Sequence, residues 1–104
     1  MRKVYNKLVR DKIIDIIEAD NRTPEYEAVS EEECKELLIA KLQEEVDEFL
    51  EDREVMELAD IIEVIQAYVE LCGVSWDELV EMKEDKADRR GGFKERLLLK
   101  WVEE

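Results

Sequence analysis

Lys41-Leu42-Gln43-Glu44-Glu45-Val46-Asp47-Glu48, followed after a charged break at Glu51-Asp52-Arg53 by Glu57-Leu58-Ala59-Asp60, decides how this chain is read. At 100° per residue, Leu38, Leu42, Val46 and Phe49 define one apolar stripe of a helix, and Glu45 falls inside it. Glu48 lies on the edge of that stripe, while Glu44 and Asp47 point away from it. On the next helix Glu57 is in line with Ile61, Val64 and Tyr68, and Asp60 with Val64, Ala67 and Leu71. Two i, i+3 carboxylate pairs are thus expected to face inward from consecutive helices. Unpaired buried carboxylates cost several kcal/mol each, roughly, so four converging ones must be protonated, paired with cations or bound to metal. All-oxygen ligation selects a hard cation, Mg²⁺ or Mn²⁺.

Outward from this stretch, the pattern predicts four helices in one domain spanning residues 1–104. Val9, Ile13, Ile16 and Ile17 recur at helical spacing through Asp20, with Asn21 as a C-terminal cap. Thr23-Pro24 breaks the chain, and Glu25 to Val29 reads as an extended connector. Ser30 with Glu33 marks a capping box that opens a helix running to about Leu50. A third helix, from about Glu54 to Cys72, is apolar over more than half its circumference and is expected to be the most buried element. Gly73 ends it, and Ser75 with Glu78 starts a fourth helix that carries Trp76, Leu79 and Val80 inward.

Along the fourth helix, cations continue the line that the apolar residues begin: Lys83 and Arg90 follow Trp76, and Lys86 follows Leu79, with Arg89 turned aside. Gly91-Gly92 stops the helix, either as an ordinary terminus or where backbone approaches a ligand. In the tail, Phe93, Leu97 and Trp101 fit a helix, whereas Leu97, Leu99 and Trp101 alternate as in a strand. The reading leans to a short strand pairing with the residues around Val4-Tyr5.

Composition excludes several classes of function. There is no histidine, which removes Ser-His-Asp and Cys-His nucleophile systems and histidine-ligated metals. Cys34 and Cys72 form no CxxC and read as reduced helix residues. A net charge of −14 argues against nucleic-acid binding, and any phosphate-bearing ligand must be drawn in by metal and local cations. No run approaches the roughly 18 apolar residues of a membrane span, and no signal-peptide pattern opens the chain, so a cytoplasmic protein is expected.

In these residues the chain resembles the MazG-like and phosphoribosyl-ATP pyrophosphohydrolase-like all-α superfamily. The resemblance lies in the EExxE element Glu44-Glu45-Val46-Asp47-Glu48 and the ExxD element Glu57-Leu58-Ala59-Asp60. It is closer to a small single-domain branch of house-cleaning nucleotide pyrophosphohydrolases, through Asn6-Lys7-Leu8-Val9-Arg10-Asp11-Lys12-Ile13, Leu58-Ala59-Asp60-Ile61-Ile62-Glu63-Val64 and Arg90-Gly91-Gly92-Phe93. Ile14 departs from that branch, which often has proline there. Only eight residues separate Glu48 from Glu57, fewer than in the wider superfamily, so a tight turn between the two helices is expected.

The resemblance implies a four-helix bundle in which Glu45, Glu48, Glu57 and Asp60 bind Mg²⁺. It also implies hydrolysis of a nucleoside triphosphate to monophosphate and pyrophosphate, in a homo-oligomeric dimer or tetramer. The residues fit that chemistry: Lys83, Lys86 and Arg90 would neutralise phosphates, helped by Arg89, Lys7 and Arg10. A non-ligating carboxylate oxygen, or Glu44 through a water, would take the proton of the attacking water. Trp76 and Tyr68 are candidates for the wall against the base. The competing reading is a non-catalytic oligomerising helical module. With 30 acidic residues in the chain, some ExxE and ExxD pairs arise by chance on solvated faces, and the cations may be read as partners of the carboxylates.

Overall fold

The computed structural model describes residues 1–104 and holds four helices: α1 Ile13–Ala19, α2 Glu31–Asp52, α3 Val55–Leu71 and α4 Trp76–Arg90. The chain is all-α. No strand forms, so the expected pairing of the tail with Val4-Tyr5 is not made. Beyond Gly92 the backbone makes one turn, in which the Arg96 N–H donates to the Phe93 carbonyl at 3.1 Å, and then runs on without regular structure. Two strands alone are marginal in water without a hydrophobic face to cover, and this tail lies exposed along its length.

The helix ends follow the local chemistry. Ser30 accepts from the Glu33 N–H at 3.1 Å, so one half of the expected capping box closes α2's start. At α4 both halves close: Ser75 Oγ accepts from the Glu78 N–H, and Glu78 Oε1 accepts from the Ser75 N–H, each at 3.1 Å. Ser75→Ala is therefore expected to cost about 1 kcal/mol, measured as a lowered midpoint in urea denaturation followed by helical circular dichroism. An unchanged midpoint would show that α4's start contributes nothing to the cooperative unit.

Between α2 and α3 the turn is as short as the sequence spacing requires. Arg53 adopts φ 60°, its N–H donates to the Phe49 carbonyl at 2.7 Å, and Glu54 already caps α3. This left-handed residue reverses the chain, so α2 and α3 form an αα-hairpin whose facing sides carry most of the helix packing. α4 touches α3 much less, and α1 packs against no other helix.

α3 is, as expected, the helix with the largest share of covered residues, but few residues are fully buried in the single chain. Leu38 and Glu45 of α2 and Val64 of α3 are the only buried residues, while Leu58 and Ile62 of α3 remain exposed. One neighbouring helix covers only one side of an apolar cylinder, and no second layer is present to cover the other. The molecule is correspondingly drawn out, at 62 × 32 × 25 Å with a radius of gyration of 18.5 Å. A compact domain of this length has about 13 Å. Its accessible surface is 9897 Å² for 12.4 kDa, against about 6,100 Å² for a compact monomer of that mass.

Candidate metal centre

The α2–α3 hairpin is what brings the carboxylates together. Glu45 projects from the middle of α2, three residues beyond Leu42 in the apolar stripe, and is only 8% exposed. Glu57 and Asp60 sit one turn apart near the start of α3 and are half-buried. Because the two-residue turn folds α3 back along α2, one oxygen from each of Glu45, Glu57 and Asp60 lies within 4.8 Å of the others. Oxygens on opposite sides of a bound Mg²⁺ are about 4.2 Å apart. Neighbouring oxygens around an octahedral Mg²⁺ are closer still, about 3.0 Å apart, so the trio would have to close by up to about 2 Å to share one ion, and its all-carboxylate donor set suits a hard divalent cation.

Glu48, the fourth residue expected here, is exposed, and its oxygens lie outside the trio. Its charge is nevertheless felt there. Burial pushes the Glu45 carboxyl up from the usual glutamate range, with the charge of Glu48, a hydrogen bond with Glu48 and the charge of Asp60 adding to the shift. Lys41, 3.6 Å from Glu45, opposes it without cancelling it. The Glu57 carboxyl is also raised, by desolvation first and then by the charges of Asp52, Glu48 and Asp60. Both shifts record first the loss of hydration and then the neighbouring carboxylates.

The N-terminal segment supplies cations that sequence reasoning had placed only as helpers. Lys7 Nζ donates to Glu44 Oε1 at 2.7 Å, and Arg10 Nη2 to Asp60 Oδ1 at 2.8 Å. The segment before α1 therefore crosses both helices of the hairpin and sets two cations beside the carboxylates. Glu44, read from its helix angle as pointing away, is half-buried under this segment. Its hydrogen bond to Lys7 holds its carboxyl below the usual range and raises the lysine in return. The helical wheel of α2 carried no sign of this, because the covering segment lies more than thirty residues away in sequence.

The cations of α4 do not join this cluster. Lys83, Lys86, Arg89 and Arg90 are all exposed, and none pairs with Glu45, Glu48, Glu57 or Asp60. Lys83 bridges only its neighbour Glu84, at 3.1 Å. α4 packs on α3 far less than α2 does.

Neither aromatic candidate for contact with a base stands among the three clustered carboxylates. Tyr68, one of the two candidates for contact with a base, lines a groove between α2 and α3, whereas Trp76 is half-buried at the start of α4. Both cysteines are unpaired, Cys34 half-buried and Cys72 exposed. No helix is long and apolar enough to cross a membrane. Compared with family models, with curated proteins and with solved structures, the chain finds no match.

Proposed function

We propose that this chain is a Mg²⁺-dependent nucleotide pyrophosphohydrolase, with Mn²⁺ an alternative ion, that converts a nucleoside triphosphate to the monophosphate and pyrophosphate. The observation that carries this reading is the convergence of Glu45, Glu57 and Asp60 from two helices, with Lys7 and Arg10 beside them. Carboxylates alone would repel a triphosphate; carboxylates that gather a divalent ion next to two exposed cations suit one. The resemblance of the EExxE and ExxD elements to MazG-like proteins supports the same reading, as does the fourth acidic group, Glu48, at the edge of the trio.

A divalent ion held there would neutralise phosphate charge and favour ionisation of the attacking water. The chain's own groups do the rest. Arg10 and Lys7 exchange their carboxylate partners for phosphate oxygens, a short movement for exposed side chains. Glu44, freed as Lys7 turns to phosphate, takes the proton of the attacking water through a water, or a non-ligating oxygen of Glu45 or Glu48 does so directly. Water attacks the α-phosphorus, the bond between that phosphorus and the α–β bridging oxygen breaks, and pyrophosphate leaves with that oxygen. Lys83, Lys86, Arg89 and Arg90, exposed on α4, are available to phosphate only where another copy or a change in α4 brings them to the carboxylates.

The reading includes a homo-oligomer, dimer or tetramer, in the cytoplasm. Self-association is supported by the excess accessible surface and by Leu58, Ile62 and Ile39, which the single chain leaves exposed on the hairpin. The rival, a non-catalytic helical module, draws on the Lys7–Glu44 and Arg10–Asp60 pairs, which neutralise two carboxylates without any metal.

The test is release of pyrophosphate versus phosphate from a panel of canonical and modified nucleoside triphosphates, with Mg²⁺ and with chelator, for the wild type and Glu45→Ala. Pyrophosphate with monophosphate is expected, abolished by chelator and by the substitution. A folded, metal-replete protein that turns over nothing in the panel would transfer the assignment to the helical module.

A further inference from the structure

The C-terminal segment is the one part of the chain with many large apolar side chains and nothing to pack them on. Phe93, Leu97, Leu98, Leu99, Trp101 and Val102 are exposed by 65–96%. In an extended segment Leu97, Leu99 and Trp101 share one side. Elsewhere in the molecule, α2 and α3 leave a groove of about 200 Å³ lined only by Leu38, Ile39, Leu42, Val64, Ile65 and Tyr68. An empty apolar groove and an uncovered apolar segment in one chain call for each other.

Charge points the same way. Of the 30 acidic residues only Glu95, Glu103 and Glu104 lie beyond Asp88, whereas Arg89, Arg90, Lys94, Arg96 and Lys100 are all there. The groove's two helices are the opposite: α2 has only Lys35 and Lys41 among its many carboxylates, and α3 has no cation. A basic apolar tail thus complements an acidic apolar groove. The same acidity disfavours an anionic membrane as the partner of the molecule as a whole.

We propose that the tail of one copy, Phe93–Val102, docks in the α2–α3 groove of a second copy, with Leu97, Leu99 and Trp101 as its anchors. Docking to another copy, not to its own groove, is taken from the tail's placement: after the 15 residues of α4, about 22 Å long, the tail is exposed along its whole length and leaves its own groove empty. Ten extended residues reach about 33 Å, more than the short stretches Leu38–Leu42 and Val64–Tyr68 that line the groove, so the tail can cross it with length to spare. Leu42 lies three residues before Glu45, and Val64 four after Asp60, so a docked tail lies alongside the carboxylates. This inference rests on the self-association put forward above and not on the hydrolysis.

Trans docking is tested by disulfide trapping in a Cys34→Ala, Cys72→Ala background. Full-length chains bearing Ile39→Cys are mixed with full-length chains bearing Leu99→Cys and oxidised with glutathione disulfide. A mixed disulfide joining the two different chains is expected. The proposal is overturned if no such product forms, or if Ile39→Cys/Leu99→Cys in one chain closes only on itself. By light scattering the wild type is expected at a multiple of 12.4 kDa, and Trp101→Ala is expected to weaken the association by about tenfold or more. A wild type that is monomeric overturns both this proposal and the self-association. A wild type that self-associates but gives no trans disulfide overturns the docking alone. Binding to phosphatidylserine vesicles that needs the tail, without trans trapping, assigns the tail to membrane and overturns it as well.

Discussion

Asp60→Asn is expected to lower Mg²⁺-dependent pyrophosphate release by about 100-fold or more, and to abolish any rise in thermal stability on adding Mg²⁺. Asparagine keeps the size of the side chain, but it removes one of the three charges that converge within 4.8 Å. It also releases Arg10, whose partner is Asp60 at 2.8 Å. The loss should appear first in the metal concentration needed for half-maximal rate, before the nucleotide dependence changes. Asp47→Asn is the matched control, because Asp47 is exposed on the other face of α2 and bonded only to Gln43. Equal loss in both variants would mean that net charge, not the cluster, governs the rate.

Glu45→Gln is expected to act in opposite directions with and without metal. Without metal it should raise Tm at neutral pH by several degrees, since each 1 kcal/mol of relieved repulsion is worth about 4–8 °C in a domain of this size. With Mg²⁺ the wild type should gain stability that the variant cannot.

The pH dependence gives the sign independently. Because the Glu45 carboxyl is raised in the folded chain, the folded state holds its proton where the unfolded state has lost it. Glu45 therefore makes stability fall as pH rises from the ordinary glutamate range, about 4.3, and the fall ends above its elevated folded value. Glu44, held low by Lys7, works the other way: its contribution is present above the ordinary range and is lost as pH falls through its depressed value. The difference between wild type and Glu45→Gln isolates the first effect. Metal-free stability curves that stay parallel as pH rises from the ordinary glutamate range, about 4.3, would show that Glu45 carries no excess charge penalty.

Much of the architecture was legible along the chain, because helix ends are local events. Ser75 and Glu78 sit three residues apart and close both bonds of their capping box without help from the rest of the fold. Thr23-Pro24 and the Arg53-Glu54 turn likewise separate the helices where the sequence says they must be separated. The inward placement of Glu45, Glu57 and Asp60 was legible for the same reason, since the 3.6-residue period puts them in line with Leu42, Ile61 and Val64. The tail was not legible. Alternation in Leu97, Leu99 and Trp101 fits a strand, but a strand needs a partner edge, and none is within the chain.

Although Glu48 stands exposed and α1 begins at Ile13, four residues after Val9, what the sequence by itself determined about this protein is its all-α class, four helices and the inward faces of Glu45, Glu57 and Asp60. Those follow from propensity, capping and periodicity, which act over a few residues. Only the tertiary structure decided which charged groups meet. It joined Glu45 to Glu57 and Asp60 by folding α3 back on α2, and it laid Lys7 and Arg10 against Glu44 and Asp60 across 37 and 50 residues of chain. It also left the cations of α4 out in solvent. An ion pair depends on a distance in space, and helical periodicity specifies a direction around one axis but not the neighbour found there.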